Sequence, residues 1–361
     1  MILLQNATKN FLRNSSSNIL NFTKEYALCL LISKGKKNCR AMALNLGLKE
    51  THVSGLLKNS IYEREALQKF FIALVNMAST AKNPGVIITD LTQITKLYGR
   101  KLEKCCYDYN SSMKLALKGL SLVTLVWTNG KIVIPLNFEV WIREKDLKNK
   151  IKYEKKTNFA KKLILDYKDK IPFKYIALDG EYGNEDFLRF LHDNDLKYVM
   201  RMPKNRLVTI DDKQCTLAKQ DAFQLKRNSK YIKKRGSYKG IPAYFISHKR
   251  NGHNNTKDVV FIVSNLDLPT PKSYILAYEL RWPIEKMFRT LKQHLGLKEC
   301  YSNSFDKQSA HIFATLLAFT ELEIQKITKR KKSPEAILHN LRVQNIAQIN
   351  SEFVLGEGIL M

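Results

Sequence analysis

The sequence is short of the residue patterns that build zinc sites, disulfide frameworks and membrane anchors. Its six cysteines form no Cys-x-x-Cys pair, and no histidine lies at zinc-binding spacing from any of them. No apolar run is long enough to cross a bilayer, and the N-terminus lacks the apolar core of a signal peptide. We therefore expect a cytoplasmic protein whose thiols are free and mostly buried.

Acidic residues are also scarce. Among 361 residues, 33 Asp and Glu stand against 61 Lys and Arg, which gives a formal net charge of +28 at pH 7. So large an excess destabilises a compact fold by self-repulsion unless a polyanion neutralises it. Nucleic acid is the polyanion that best suits a globular chain with 44% hydrophobic residues. An AT-rich genome, which favours lysine codons, is an alternative source of part of the excess.

The first 80 residues are predicted to be helical, with a helix-turn-helix-like pattern between Cys39 and Lys58. Ala43 is small where two helices must approach closely, and Gly47 follows where the turn needs a positive φ. Three polar residues would then lie near the exposed start of the second helix, within reach of DNA: Lys49, Thr51 and His52. A plain helical hairpin explains the same pattern equally well.

Strands are predicted from about residue 85 onward, with a hairpin turn at Asn129-Gly130. Two acids follow predicted core strands: Asp90 comes after VIIT and Asp179 after YIAL. We expect both at strand ends, where mixed α/β sheets hold functional side chains rigidly. A turn or a helix cap is the alternative role for each aspartate.

The most informative segment is YELRWPIEKMFRTLK, near the C-terminal end. On a single helix, four of its polar residues would fall within about 60° of one another, beside an apolar stripe: Tyr278, Arg281, Glu285 and Lys292. Pro283 cannot lie inside an unbroken helix without a kink, so the helix could begin there instead. An ordinary surface ion pair between Arg281 and Glu285 is the alternative interpretation.

Asp90, Asp179 and Glu285 together supply three carboxylates from three distant segments. Three such groups can hold two divalent ions about 3.5–4 Å apart, and phosphodiester cleavage then needs no nucleophile from the protein. Three further acids compete for these roles on position alone: Asp108, Glu181 and Asp186.

These residues together resemble a bacterial insertion-sequence transposase of the DDE class, in the subgroup marked by Tyr-x2-Arg-x3-Glu-x6-Lys. That motif is complete in this chain, and the resemblance runs from about Gly85 to Phe319. The family's first aspartate usually stands in a strand-Asp-Asp-Thr context. Here the sequence is Asp90-Leu91-Thr92, so a leucine replaces the usual second aspartate.

The resemblance implies an α/β fold, namely an RNase H-like mixed sheet flanked by helices, with a β-rich insertion and an N-terminal helical DNA-binding domain. The expected division gives residues 1–80 to the DNA-binding domain and residues 84–200 and 261–330 to the catalytic domain. Residues 201–260, which are basic and strand-like, would form the insertion, and 331–361 a C-terminal tail.

The resemblance further implies cut-and-paste transposition with two Mg²⁺ ions, for which Mn²⁺ would substitute. The catalytic and metal-binding residues would be Asp90, Asp179 and Glu285. The residues that contact DNA near the cut would be Tyr278, Arg281 and Lys292. The partners would be double-stranded DNA, as terminal inverted repeats and as target, and a second copy of the chain on paired ends. The protein would associate with the nucleoid.

Two questions stay open at the level of sequence. Trp282 could stack on an unpaired base, but we favour core packing for it. An inactive or domesticated transposase that survives as a DNA-binding regulator is the alternative function, although it would not need all three carboxylates.

Overall fold

The computed structural model describes residues 18–33, 35–59, 63–97, 99, 101–110, 113–147, 152–220, 223, 230–251, 257–331 and 333–343. The helices are α1 (Asn18–Ile32), α2 (Cys39–Leu46), α3 (Glu50–Asn59), α4 (Arg64–Ala78), α5 (Lys156–Lys168), α6 (Glu185–Asp193), α7 (Pro271–Glu279), α8 (Trp282–Gln293), α9 (Phe305–Thr328) and α10 (Pro334–Val343). The strands are β1 (Val86–Thr95), β2 (Cys106–Asn110), β3 (Leu115–Thr128), β4 (Val133–Trp141), β5 (Ile176–Leu178), β6 (Tyr198–Met202), β7 (Leu207–Ile210), β8 (Lys213–Thr216), β9 (Tyr231–Tyr238), β10 (Ile241–Asn251) and β11 (Lys257–Ser264).

The fold is α/β and is built on one mixed sheet flanked by helices, which is compatible with an RNase H-like architecture. The strand order is β2-β3-β1-β5-β6-β11-β10-β9-β7-β8, and β4 pairs with the second half of β3. Strand β5 pairs in parallel with β1 and β6, whereas β1 pairs with β3 and β6 with β11 in the antiparallel sense. The hairpin predicted at Asn129-Gly130 is confirmed, because it joins β3 to β4.

The core lies between this sheet and the helices that cover it. Strand β1 begins with the β-branched run VIIT, whose four side chains are buried, as expected for a strand enclosed on both faces. Helices α5 and α9 pack on β4, and α9 is buried along its length from Gln308 to Gln325. A helix that is buried all round belongs between other layers, and α9 lies between the sheet and the N-terminal helices.

The N-terminal helices join the rest of the chain through two hydrophobic clusters: α4 and part of α1 enter the main core, whereas α2 and α3 pack with α1 and α9 in a second cluster. Helix α2 ends at Gly47, whose φ of 64° allows the sharp turn into α3 that the sequence predicts. Helix α1 packs on α9 and α10, and the Tyr26 hydroxyl lies 3.0 Å from Nδ1 of His311. Helix α10 falls in the region expected to be a tail, yet it buries Ile337, Leu338 and Leu341.

Two further features concern the cysteines and membrane-spanning helices. All six cysteines are free thiols, but only three are buried, Cys29, Cys106 and Cys300, and the other three are half-buried. None of the described helices combines the length and the apolarity needed to span a membrane.

Candidate active site

Two neighbouring parallel strands bring Asp90 and Asp179 side by side. The last parallel pair between β1 and β5 joins Thr89 to Leu178, and each aspartate is the next residue along its strand. Neighbouring strands lie roughly 4.8 Å apart, and residues in register point to the same face. The two carboxylates therefore approach each other from adjacent strands.

The prediction that Asp90 ends a strand is wrong. Strand β1 continues to Thr95 because β3 pairs with it over its whole length, from Val86 opposite Thr128 to Thr95 opposite Gly119. Only the pairing of β1 with β5 stops at Thr89. Asp90 therefore lies within the β1–β3 pair and just beyond the last paired residue of β1 and β5. This fixes its backbone more firmly than a position at the end of a strand would.

The motif helix is interrupted, so the alternative in which a helix begins near Pro283 is confirmed and the single-helix arrangement is not. Helix α7 ends at Glu279 and α8 begins at Trp282, because Pro283 has no N–H to continue the ladder. Across the break, the Arg281 N–H donates to the Tyr278 carbonyl at 2.9 Å. Both Leu280 and Arg281 keep right-handed helical dihedral angles. The bend is therefore slight, and Tyr278 still lies within reach of the residues on α8.

Arg281 holds two of the carboxylates together. Its Nη1 donates to Oδ2 of Asp90 at 2.9 Å, and its Nη2 donates to Oε1 of Glu285. The Tyr278 hydroxyl donates to Oδ1 of Asp179 at 3.3 Å. Asp90, Asp179 and Glu285 are thus linked, from three segments, through two neighbouring residues of the motif.

Crowding of negative charge and burial both act on Asp90. Burial raises the pKa of this carboxyl to about 7, against the Arg281 charge and the Leu91 N–H, which lower it. The charges of Asp179 and Glu285 raise the pKa of Asp90 further. A carboxyl so placed gains from an additional cation close by.

The other motif cation, Lys292, lies on α8 two turns after Glu285 and is half-buried. Burial and the nearby Lys298 lower the pKa of the Lys292 amine to about 8, and the charge of Asp90 opposes them. An anion bound at Lys292 would favour its charged form.

The structure places two of the three competing acids in other interactions. Asp108 accepts hydrogen bonds from Lys156 at 2.7 Å and from Ser121 at 2.6 Å. Asp186 pairs with Lys161 at 2.7 Å. Glu181 is exposed, in the short 3₁₀ turn directly after Asp179.

Trp282 does not lie where the sequence analysis placed it, and Arg201 was not predicted from the sequence. Trp282 was expected in the core, but it is 39% exposed at the start of α8, because that position faces away from the apolar stripe. Arg201 directly follows Met200, which pairs with Leu178, so it lies beside Asp179. Burial raises the pKa of the Tyr278 hydroxyl to about 12, and the charge of Arg201 acts against this rise. The position of Arg201 beside Asp179 follows only from the register of β6 against β5, and no local sequence pattern predicts it.

The three N-terminal residues singled out for DNA contact are all exposed at the start of α3: Lys49, Thr51 and His52. Helix α3 is held against α9, where Nζ of Lys307 donates to the Ser54 hydroxyl at 2.5 Å. Within the described residues, no hydrogen bond or ion pair joins these three to the carboxylates.

The donor set suits a divalent ion in chemistry but not in its present arrangement. No group of three or more His, Cys, Asp or Glu side chains in the described part of the chain is arranged to hold a metal as it stands. At this site the Arg281 guanidinium lies between Asp90 and Glu285 and forms an ion pair with each. The donors themselves are carboxylate oxygens, which Mg²⁺ prefers. Burial first, and then the charges of Asp179 and Glu285, raise the pKa of Asp90, and a bound cation would offset both effects. The residues fit the ion in chemistry.

Among the comparisons with known proteins, one finds a protein family. No curated protein matches the chain at a significant level. The crystal structure of the NurA nuclease from Sulfolobus solfataricus is similar at 13% identity, over 79% of this chain and 95% of that one, with a TM-score of 0.26, which is too low to argue from. Residues 149–320 match the family described as a transposase DDE domain, a range that contains Asp179 and the whole segment from Tyr278 to Lys292. This match supports a DDE transposase domain over that range of the chain.

Proposed function

We propose that the protein is a DNA transposase that cleaves DNA at transposon ends and joins the freed 3′ ends to target DNA by the cut-and-paste route. One observation carries the proposal. Asp90, Asp179 and Glu285 come from segments far apart in sequence, yet Arg281 and Tyr278 link all three. A surface ion pair between Arg281 and Glu285 would not need the two strand aspartates.

In this proposal Asp90, Asp179 and Glu285 hold Mg²⁺, with Mn²⁺ as a substitute. A bound divalent ion supplies Lewis acidity, which lowers the pKa of an attacking water or 3′-hydroxyl and offsets charge on the leaving oxygen. The protein contributes the rigid placement of its ligands, because two of them stand on adjacent strands of the central sheet.

Arg281 has a second role in this proposal. Without DNA its guanidinium binds two carboxylates, and its Nε has no hydrogen-bond partner among the described residues. A phosphate offers the same bidentate geometry as a carboxylate, so a DNA phosphate can take over the guanidinium. Transfer of Arg281 to DNA would free the oxygens of Asp90 and Glu285 for the ion.

Tyr278 and Lys292 complete the proposed site. The Tyr278 hydroxyl orients Asp179. Lys292 would bind a phosphate beside the cut, which restores the full charge that burial disfavours. We propose that Lys49, Thr51 and His52 contact the transposon end, and that two copies of the chain act on paired ends.

A nicking assay tests the proposal. The substrate is a duplex that carries the DNA flanking the coding region, incubated with Mg²⁺, with Mn²⁺ and with a chelator. We expect strand cleavage with either ion and none with the chelator. Binding of this duplex without any cleavage under all three conditions would contradict the proposal and would favour a DNA-binding regulator.

A further inference from the structure

A basic groove runs beside α8, outside the carboxylate site. It has a volume of about 720 Å³ and is bounded by the β3–β4 turn, the outer side of α8, the end of α9 and the start of α10. Five exposed cations line it: Lys131, Lys286, Arg289, Arg330 and Lys331. None of the five forms an ion pair with an acid in the described part of the chain.

The acids in the groove do not offset these cations. Glu323 is buried and accepts hydrogen bonds from the Val133 N–H at 2.8 Å and from Nζ of Lys326 at 2.6 Å. Glu335 accepts from the Thr290 hydroxyl. Both carboxylates are thus satisfied by the walls of the groove, and its open side presents uncompensated positive charge.

The conformation of Arg330 is a second, independent feature. Its φ is 50°, in the left-handed region, at the point where α9 ends. The Lys331 N–H closes this helix end by donating to the Lys326 carbonyl at 2.9 Å. Glycine is the usual residue at such a position because it has no Cβ to strain. The chain instead has a cation at this position, Arg330, which lines the groove.

Helix α8 connects the groove to the proposed catalytic site. Glu285 belongs to the site, whereas Lys286 and Arg289, one and four residues later, line the groove. Residues four apart are neighbours on a helix surface, so the groove begins within one turn of the carboxylates. A polyanion that enters the site across α8 meets the five cations next.

We propose that the basic groove binds the phosphate backbone of duplex DNA next to the bond that is cut. The inference rests on the proposed function, and it assigns to the segment at the end of α9 a role in holding DNA. The contacts are to phosphates, so the groove positions the duplex and does not read its sequence.

The test measures binding of a fluorescent duplex across a salt series from about 50 to about 200 mM. The groove variant combines Lys286→Ala, Arg289→Ala, Arg330→Gly and Lys331→Ala. Each phosphate contact that is lost should reduce the slope of log affinity against log salt by about 0.9, so we expect a reduction of about 3–4. At about 100 mM salt the affinity should fall at least tenfold.

Lys114→Gly is the matched control. Lys114 is also an exposed cation in the left-handed region, with φ 54°, but it lies on the β2–β3 turn outside the groove. We expect the control to bind with the slope of the unaltered protein. Arg330→Gly relieves backbone strain, so this single variant should keep its thermal stability while it loses about one unit of slope.

The outcomes separate this inference from the proposed function. If the groove variant keeps the slope and affinity of the unaltered protein, the groove does not bind DNA, whatever the nicking assay shows. If Glu285→Gln still nicks DNA, the proposed catalytic site is wrong. The binding of the groove variant and of the control can still be compared, because that measurement does not depend on cleavage. Equal losses in the single variant Arg330→Gly and in Lys114→Gly would also overturn the inference, because each removes one positive charge and the losses would then reflect net charge alone.

Discussion

Replacing Arg281 by methionine should destabilise the protein far more than the same change at a surface ion pair. The Arg281 side chain is 8% exposed and its partner Asp90 is 15% exposed, so the change leaves a buried carboxylate without its counter-charge. Breaking one side of a buried pair costs about 3–5 kcal/mol. We expect a loss near the lower end, about 3 kcal/mol, because Glu285 is 38% exposed and can regain water.

The chain contains a matched control for this change. Arg189 and Glu185 form an ion pair at the same i,i+4 spacing, at 3.1 Å, but their side chains are 52% and 46% exposed. Arg189→Met should therefore change stability by no more than about 0.5 kcal/mol. Urea unfolding of both variants, with a chelator present, measures the two free energies of unfolding.

A double-mutant cycle isolates the contact between Arg281 and Asp90. Asp90→Asn removes the buried charge, so Arg281→Met combined with Asp90→Asn should cost less than the sum of the single changes, by about 1–3 kcal/mol. The reasoning would be refuted by a loss in Arg281→Met no greater than in Arg189→Met. Arg281 and Glu285 would then be the ordinary surface pair of the alternative interpretation.

Three other predictions concern separate parts of the molecule. Lys49→Ala with Thr51→Ala should weaken binding to the transposon end more than binding to random duplex, and equal losses in a gel-shift assay would point to a structural role. Lys292→Ala should weaken DNA binding near the cut, which a footprinting assay would show as reduced protection at that position. The metal affinity measured by calorimetry should be unchanged. His311 is buried, and burial lowers its pKa from 6.5 to about 4, so the folded state binds fewer protons than the unfolded state between these values. The contribution of His311 to stability should therefore fall by roughly 3 kcal/mol as pH drops from about 6.5 to about 4, whereas the raised pKa of Asp90 contributes in the opposite sense over this range. The His311 contribution is the difference between the unaltered protein and His311→Gln in urea unfolding at the two pH values.

Local patterns in the sequence were sufficient for several features of the fold. The turn at Asn129-Gly130 and the end of α2 at Gly47 depend on backbone conformations that few residues adopt, so the residue type predicts the turn. The break at Pro283 follows from a missing N–H. The position of Asp179 directly after β5 was also apparent, because the apolar run YIAL ends there.

Features that depend on pairing between distant segments could not be predicted. The length of β1 is set by β3, which the sequence of β1 alone does not specify, and Asp90 was misplaced for this reason. Arg201 reaches the site through the register of β6. The exposure of Trp282 and the burial of α10 depend on how helices pack, and large apolar residues give no sign of which face is covered.

The division into domains stays a prediction, although the structure describes how the segments connect. Strand β11 pairs with β6, so the basic region expected as an insertion continues the central sheet at that edge. Helices α1 and α4 contribute Leu31, Phe71 and Leu74 to the main core. Limited proteolysis would show whether any of these segments folds independently.

The central claim is that Asp90, Asp179 and Glu285 form one catalytic site, and the Glu285→Gln variant tests it most directly. The change keeps the shape of the side chain and removes the charge proposed to hold the metal. With Mg²⁺ or Mn²⁺, strand cleavage of the end-containing duplex should fall by several orders of magnitude, while gel-shift affinity persists or increases because a negative charge near phosphate is gone. Asp186→Asn, which alters an acid paired with Lys161 away from the site, should cleave as the unaltered protein does. Cleavage at the normal rate by a folded Glu285→Gln protein would contradict the account.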